Sequence, residues 1–292
     1  MSSNSLPFTS LRQRFFPLIW ALLLPLRTYL RHFPIQRGKG LLLRLGVLPW
    51  LPPAGTEYEL PLPANGSIRL QYRETLGLSS LLYGTFENAE LEFAGRYLKP
   101  GDCAFDIGAN VGVFSVVFGR ATANNGCVFA FEPVPANAAR LKQNLERNLL
   151  KHVQVQPIAL GSSEAELEIH LAEDAAYHSF GPVEKPFRTL HVLPVRVRRL
   201  DDVWRELGSP NVAFLKIDVE GAEDDVLAGG LECLASCQPV VLIEANRPEH
   251  LARLQKRFAA LNFVSFKPAA FVVHNYLFHP SGMKEKILIA LQ

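Results

Sequence analysis

The chain has 292 residues, 48% of them hydrophobic and 20% charged, with a net charge of +2. This composition excludes a disordered or fibrous chain, and the length allows one large domain or two small ones. Four cysteines are too few for a disulfide scaffold. Cys103 and Cys127 stand beside apolar neighbours, and Cys233 and Cys237 lie four apart in an apolar helical stretch with no histidine close by. Buried thiols in a reducing compartment are therefore expected rather than a metal site.

The charge is unevenly spread. Residues 1–56 hold Arg12, Arg14, Arg27, Arg31, Arg37, Lys39 and Arg44 and no acid, which leaves 23 bases against 28 acids in the rest. Phe15–Leu26 is strongly apolar but 12 residues long and broken by Pro17 and Pro25, whereas a spanning helix needs about 20 apolar residues. A signal peptide is disfavoured because Arg27, Tyr29, Arg31, His32 and Phe33 follow, where the small residues of a cleavage site belong. A second apolar patch, Leu41–Leu51, ends among Pro49, Trp50, Pro52 and Pro53. Two readings stand. The segment is a helical cap packed on the following domain or on a second subunit of a homo-oligomer, or it lies on an anionic membrane surface with Trp20 and Trp50 at the interface. A cytoplasmic protein is expected, membrane-peripheral on the second reading.

From Glu57 the pattern changes. Tyr58–Leu62 and Ser67–Tyr72 flank Ala64-Asn65-Gly66, a hairpin signal, and a helix is predicted over Asn88–Leu98. Strand and helix then alternate. Strands are predicted at Cys103–Ile107, Cys127–Phe131 and Val153–Ile158, with helices at Val113–Arg120 and Pro135–Leu150 between them. Ala165–Leu171 alternates with period two, residues 172–191 lack periodicity, and Val195 and Val197 alternate again before a short helix opens at Leu200. A continuous strand at Val212–Ile217, a helix over Ala222–Cys237, a strand at Val240–Ile243, a helix at Glu249–Leu261 and a closing hairpin from Phe263–Phe266 and Phe271–Phe278 complete the reading. Such alternation means a mostly parallel α/β sheet with helices on both faces.

The first buried strand runs into Asp106-x-Gly108-x-Asn110-x-Gly112 and then a helix, whose N-terminus suits a carboxylate or phosphate. Glu132 follows the second strand, 24 residues beyond Gly108, where an acid accepts hydrogen bonds from a ribose diol. Asn110 stands where a dinucleotide fingerprint has its second glycine, so a pyrophosphate would find less room. A ligand with an amino-acid end fits better, which points to S-adenosylmethionine.

Phe105–Gly112, Phe131-Glu132-Pro133, Val195–Asp202 and Leu215-Lys216-Ile217-Asp218-Val219-Glu220-Gly221-Ala222-Glu223 together resemble the ordered motifs of the FkbM family of S-adenosylmethionine-dependent methyltransferases. The resemblance spans roughly 83–246. It implies a class I methyltransferase (Rossmann-like) fold over 101–292, led by the hairpin and helix of 57–100 and preceded by the basic, apolar extension of 1–56. It also implies O-methylation of a hydroxyl on a sugar, glycan or small natural product. On that resemblance Asp106, Gly108, Asn110 and Gly112 surround the methionine part of the cofactor. Glu132 takes the ribose, and Ala159-Leu160-Gly161 lines the adenine. Lys216, Asp218 and Glu220 face the donor methyl from the carboxyl end of a strand, with Asp218 and Glu220 the first candidates for a base and His178 the second. The plain structural alternative for Lys216–Glu220 is an ion-pair cluster capping the next helix. No metal is assigned, although Asp218, Glu220 and Glu244 could gather a divalent cation.

Two other function classes remain open: a nicotinamide-dependent oxidoreductase, and a non-catalytic nucleoside-binding module docked to a membrane or partner. The first lacks a Tyr-x-x-x-Lys or equivalent hydride site. Nucleic acid is not expected as a partner, because the region beyond residue 56 is net acidic and shows no basic stripe interleaved with aromatics.

If residues 1–56 meet lipid, each basic residue near the surface contributes about 1 kcal/mol of attraction. The full chain should then sediment with anionic liposomes in low salt and leave them in high salt, while a fragment from Glu57 stays in the supernatant. A full chain that stays soluble, together with a fragment that melts at lower temperature, identifies the segment as a cap.

Overall fold

The computed structural model describes residues 51–83, 87–172, 189–272 and 274–292. Most of the basic N-terminal segment, and His178 in the aperiodic stretch, lie outside the described residues. The chain divides into two compact units, Met1–Leu60 with Arg69–Phe86, and Pro61–Ile68 with Glu87–Gln292.

Strands β1 (Glu57–Leu62) and β2 (Gly66–Gln71) form a two-stranded sheet. Ala64 and Asn65 between them are both left-handed, with φ of 56° and 59°, the geometry that matches a tight hairpin to strand twist. In the first unit, helix α1 (Thr75–Tyr83), which sequence reading did not mark, follows the hairpin. The Tyr58 hydroxyl donates to the Gly77 carbonyl at 2.5 Å, and the Arg73 guanidinium donates to the carbonyls of Leu51 and Pro52 at 3.0 and 2.7 Å.

The second unit begins with α2 (Asn88–Tyr97), β3 (Cys103–Ile107), α3 (Val113–Thr122), β4 (Cys127–Phe131), α4 (Pro135–Arg147) and β5 (Val153–Gln156). It continues with β6 (Ala159–Gly161), β7 (Ala165–Ala172), β8 (Thr189–Arg199), α5 (Leu200–Glu206) and β9 (Val212–Ile217). Then come α6 (Glu223–Gly229), α7 (Leu231–Cys237), β10 (Val240–Glu244), α8 (Pro248–Ala259), β11 (Phe263–Phe266), β12 (Asn275–Pro280) and α9 (Lys284–Ala290). Seven strands pair in the order β11-β12-β10-β9-β3-β4-β5. Neighbours are parallel except around β12, which runs antiparallel to both β10 and β11. This is the mixed α/β, mostly parallel sheet with a closing antiparallel hairpin that the sequence led us to expect. A separate sheet of order β6-β8-β7 lies between β5 and β9 in sequence.

The central strands β3, β4, β9 and β10 are apolar apart from Asp106, Lys216 and the terminal Glu244, as strands covered on both faces require. Phe105, Phe129, Phe131, Leu215, Ile217, Val241 and Ile243 lie in one buried cluster. Phe214 meets Phe93, Tyr97 and Phe118, with ring centroids 5.3–6.1 Å apart.

Four sequence expectations need correction. The strand expected at Val153–Ile158 ends at Gln156, because Pro157 has no N–H to donate, and the chain restarts in the other sheet at Ala159. The helix expected over Ala222–Cys237 is two helices broken at Gly229-Gly230; a Cβ on Gly229 would lie 2.0 Å from the Gly161 carbonyl oxygen, so the backbones need that glycine. The helix expected to reach Leu150 stops at Arg147, and Leu149 turns left-handed with φ 58°. Cys103 and Cys127 are joined in a disulfide rather than free, because the parallel register of β3 and β4 sets them opposite one another with Cα atoms 4.6 Å apart. Cys233 and Cys237 are free thiols.

After β3 the chain proceeds to β4 and β5 on one side, then crosses back to lay β9 on the other. The carboxyl ends of β3 and β9 therefore flank the crevice where the strand order reverses, the usual ligand position in an open α/β sheet. The two ends touch: the Asp218 N–H donates to the Ile107 carbonyl at 3.0 Å, and a Cβ on Gly108 (φ +81°) would sit 1.7 Å from the Asp218 carbonyl oxygen. Gly108→Ala should therefore destabilise the fold by more than about 2 kcal/mol in denaturant titration, combining left-handed strain with a backbone clash. Gly208→Ala is the control: it shares a positive φ of 87° but meets open space, and should lose about 1 kcal/mol. Equal losses at the two positions would show that the close approach of β3 and β9 carries no weight.

Candidate functional site

The turn after β3 is tied down from within. The N–H groups of Gly108 and Ala109 both donate to the Phe131 carbonyl at 3.0 Å, and that of Gly112 to the Ala109 carbonyl at 2.8 Å. Asn110 is left-handed (φ 49°) and donates its N–H to Glu132 Oε2 at 2.8 Å. Glu132 Oε1 accepts from the N–H of Val134 at 3.0 Å and from Asn137 Nδ2 at 3.4 Å. Thus Glu132 clamps the turn, a structural task that sequence reading had not assigned to it. Burial raises its pKa to about 7 in spite of those donors. From α4, Asn144 donates to the Val111 carbonyl at 2.9 Å and holds the far end of the turn.

Asp106 is fully buried. Its Oδ2 accepts from Ser115 Oγ on α3, while Oδ1, like the buried Asn110 Oδ1, has no partner among the described residues. Burial raises the Asp106 pKa, and the Lys216 charge opposes that rise. The two residues are register partners across β3 and β9.

Lys216 is buried too, with Nζ 3.0 Å from Asp218 Oδ2 and 4.8 Å from the centre of the Phe114 ring. Burial disfavours its charge, but Asp218, Asp106 and Glu87 outweigh that and hold its pKa above the ordinary value. Beyond Asp218 the chain turns through Glu220 and Gly221, left-handed at φ 51° and 101°. Glu223 secures this turn by accepting from the N–H groups of Val219 and Gly221 at 3.3 and 3.1 Å. One carboxylate oxygen each of Asp218, Glu220 and Glu244, the last residue of β10, lie within 4.8 Å of one another. Burial first, and then the charge of Asp218, push Glu220 up to about 8 and Glu244 to about 7. These groups can hold or release a proton near neutrality.

The structure thus brings Asp106, Gly108, Asn110, Gly112 and Glu132 into one clamped turn. It sets Lys216, Asp218 and Glu220 at the neighbouring strand end. Ala159 is buried at the start of β6 with Val134 and Ile169. Leu160 and Gly161, next in the chain, line a cavity of about 270 Å³ with Ser162, Ser163, Glu220 and Gly221. Sequence reasoning missed Glu87 and Glu90, which precede and open α2. Asn275 Nδ2 donates to Glu87 Oε1 at 2.8 Å and to Glu90 Oε1 at 3.1 Å, a link across about 185 residues that no local spacing encodes. Among the described residues, no helix is long and apolar enough to cross a membrane.

A family model described as the methyltransferase FkbM domain matches residues 106–264, just over half the chain. Three curated relatives are similar over part of their length. Methyltransferase 1 of Beauveria bassiana (strain ARSEF 2860) is 33% identical over 143 residues, covering 42% of this chain and 56% of that protein. The 2-O-methyltransferase NoeI of Sinorhizobium fredii (strain NBRC 101917 / NGR234) is 30% identical over 149 residues, covering 47% and 60%. The 31-O-demethyl-FK506 methyltransferase FkbM of Streptomyces tacrolimicus is 31% identical over 162 residues, covering 46% and 62%. The chain therefore spans 56–62% of the length of these relatives. The family match opens at Asp106, runs through Glu132 and the Lys216–Glu223 turn, and closes in β11 after Glu244; on that match the chain belongs to the methyltransferase FkbM domain family.

Proposed function

We propose that this protein is an S-adenosylmethionine-dependent methyltransferase acting on a hydroxyl of a sugar, glycan or small natural product. The observation that carries the reading is the family match, because it covers the clamped turn and the acidic strand end together. The choice of a hydroxyl is supported by two relatives whose names specify O-methylation.

The residues of the turn fit the cofactor's chemistry. Asp106 Oδ1 and Asn110 Oδ1 are buried acceptors in want of donors, and a ligand bearing an ammonium group and a ribose diol brings donors. When bound, S-adenosylmethionine supplies a methyl group on a positively charged sulfonium. Asp106, Gly108, Asn110 and Gly112 would hold its amino-acid end, Glu132 its ribose through lone pairs left over from the clamp, and Ala159-Leu160-Gly161 its adenine.

The chain's remaining task is to orient the acceptor and remove its proton. A hydroxyl is a poor nucleophile, and a carboxylate within hydrogen-bond reach assists it. Glu220, which lines the cavity, serves as that base, with Asp218 next to it. Lys216 positions Asp218 by the 3.0 Å ion pair. His178 remains the second candidate.

Two experiments test this reading. Glu132→Ala should weaken S-adenosylhomocysteine binding about tenfold to a hundredfold in calorimetry, since charged hydrogen bonds contribute about 1.5–3 kcal/mol, and should also lower the melting temperature because the clamp on the turn is lost. Tight NAD binding with no response to S-adenosylhomocysteine would instead favour the nicotinamide enzyme. The second test is the pH profile. Glu220 accepts a proton only as carboxylate, and its pKa is raised to about 8, so kcat/KM should climb as pH rises to about 8 and level off above. Glu220→Gln should lower turnover strongly and remove that rise. A wild-type profile that is flat from pH 6 to 9 would exclude Glu220 as the base.

A further inference from the structure

The carboxylates at the ends of β9 and β10 outnumber the cation set among them. Glu87, Asp218, Glu220 and Glu244 gather around Lys216. Lys216 occupies one oxygen of Asp218 and leaves the others to repel one another.

We propose that Asp218, Glu220 and Glu244, with Glu87 beside them, bind one divalent cation of the oxygen-seeking kind, Mg2+, Mn2+ or Ca2+. The donor set suits such ions, which take carboxylate oxygens and water. The spacing suits Ca2+ as it stands, whereas Mg2+, at about 2.0–2.1 Å from each oxygen, needs the carboxylates to close in slightly. Oxygens that share a Ca2+ ion at about 2.3–2.6 Å lie at most about 5 Å apart, and the three carboxylates offer oxygens within 4.8 Å of one another.

A cluster of acids alone would not single out an ion, but Glu87 adds an independent sign. It precedes α2 without capping it through its side chain. Its Oε1 accepts instead from Asn275, the residue that pairs in register with Glu244. This leaves Oε2 buried, within electrostatic reach of Asp218 and Glu244 and with no hydrogen-bond partner among the described residues. A buried carboxylate oxygen without a donor is costly, and a cation beside it removes the cost. The raised pKa values of Glu87, Glu220 and Glu244 are consistent with acids brought together ahead of a positive charge.

Binding of the ion stands apart from the methyl-transfer reading, and the pH profile expected of Glu220 is that of the metal-free protein. The test is calorimetric titration of the full chain at pH 8 with MgCl2, MnCl2 and CaCl2. Electron paramagnetic resonance of Mn2+ reports the stoichiometry, and S-adenosylhomocysteine is titrated into the same preparation. One ion per chain is expected. Glu244→Gln and Glu87→Gln should each weaken it about tenfold or more, while Glu146→Gln, exposed on α4, should leave it unchanged. Absence of ion binding in a preparation that binds S-adenosylhomocysteine overturns the site and leaves the transfer reading standing. Ion binding without the homocysteine compound does the reverse. Binding that survives Glu244→Gln at full strength also overturns the site, and this half-exposed position keeps the test usable should Glu87→Gln unfold the chain.

Discussion

A charged lysine in the middle of the sheet's carboxyl edge is the constraint around which this edge is organised. Lys216 has 8% of its side chain exposed, and an isolated ammonium at that depth would lose several kcal/mol of hydration. It stays charged because three elements bring acids to it: β3 through Asp106, the turn after β9 through Asp218, and the approach to α2 through Glu87. α3 closes the remaining side with the Phe114 ring. The parallel register that puts Asp106 opposite Lys216 is therefore more than a backbone match, since a slip of one strand by one residue would send one of the two charges to the other face and part them.

The compensation overshoots, and the surplus is informative. A cluster built only to keep one lysine charged would need one or two acids, whereas Glu220 and Glu244 add two more, both with pKa values raised by burial and by Asp218. Arrangements that local stability does not call for are where function is expected. The same carboxylates are what a proton acceptor and a cation ligand need, at the strand ends where an open sheet receives its ligands.

How much of this was legible in the sequence follows the range of the forces involved. β3, β4 and β9 have the bounds read for them, because continuous apolar runs between turn residues admit little else. The glycine turn and Glu132 were found from spacing, since ligand crevices impose that spacing. The break at Gly229 was not visible, because it answers to the Gly161 carbonyl on another strand. Nor was the partnership of Cys103 with Cys127, which needs the strand register, nor that of Glu87 with Asn275, which needs the whole fold. α1 and α9 escaped for a different reason: both are short, and neither carries a strong capping signal.

The hydrogen bonding of the turn bears on the two cofactor classes that its sequence leaves open. A phosphate-binding turn keeps its N–H groups free and aims them at the anion. Here the N–H groups of residues 108, 109, 110 and 112 all have partners within the protein. What remains near the crevice are acceptors: the unpaired oxygens of Asp106 and Asn110 and the spare lone pairs of Glu132. A pyrophosphate would bring more negative oxygens to these acceptors and find no donor among those four N–H groups. An ammonium and a ribose diol bring the donors that those acceptors lack, while the carboxylate of an amino-acid end is left to the first-turn N–H groups of α3. Glu132 thus sets the character of the turn: it takes the Asn110 N–H away from any anion, and as a buried carboxylate it favours a partner that donates.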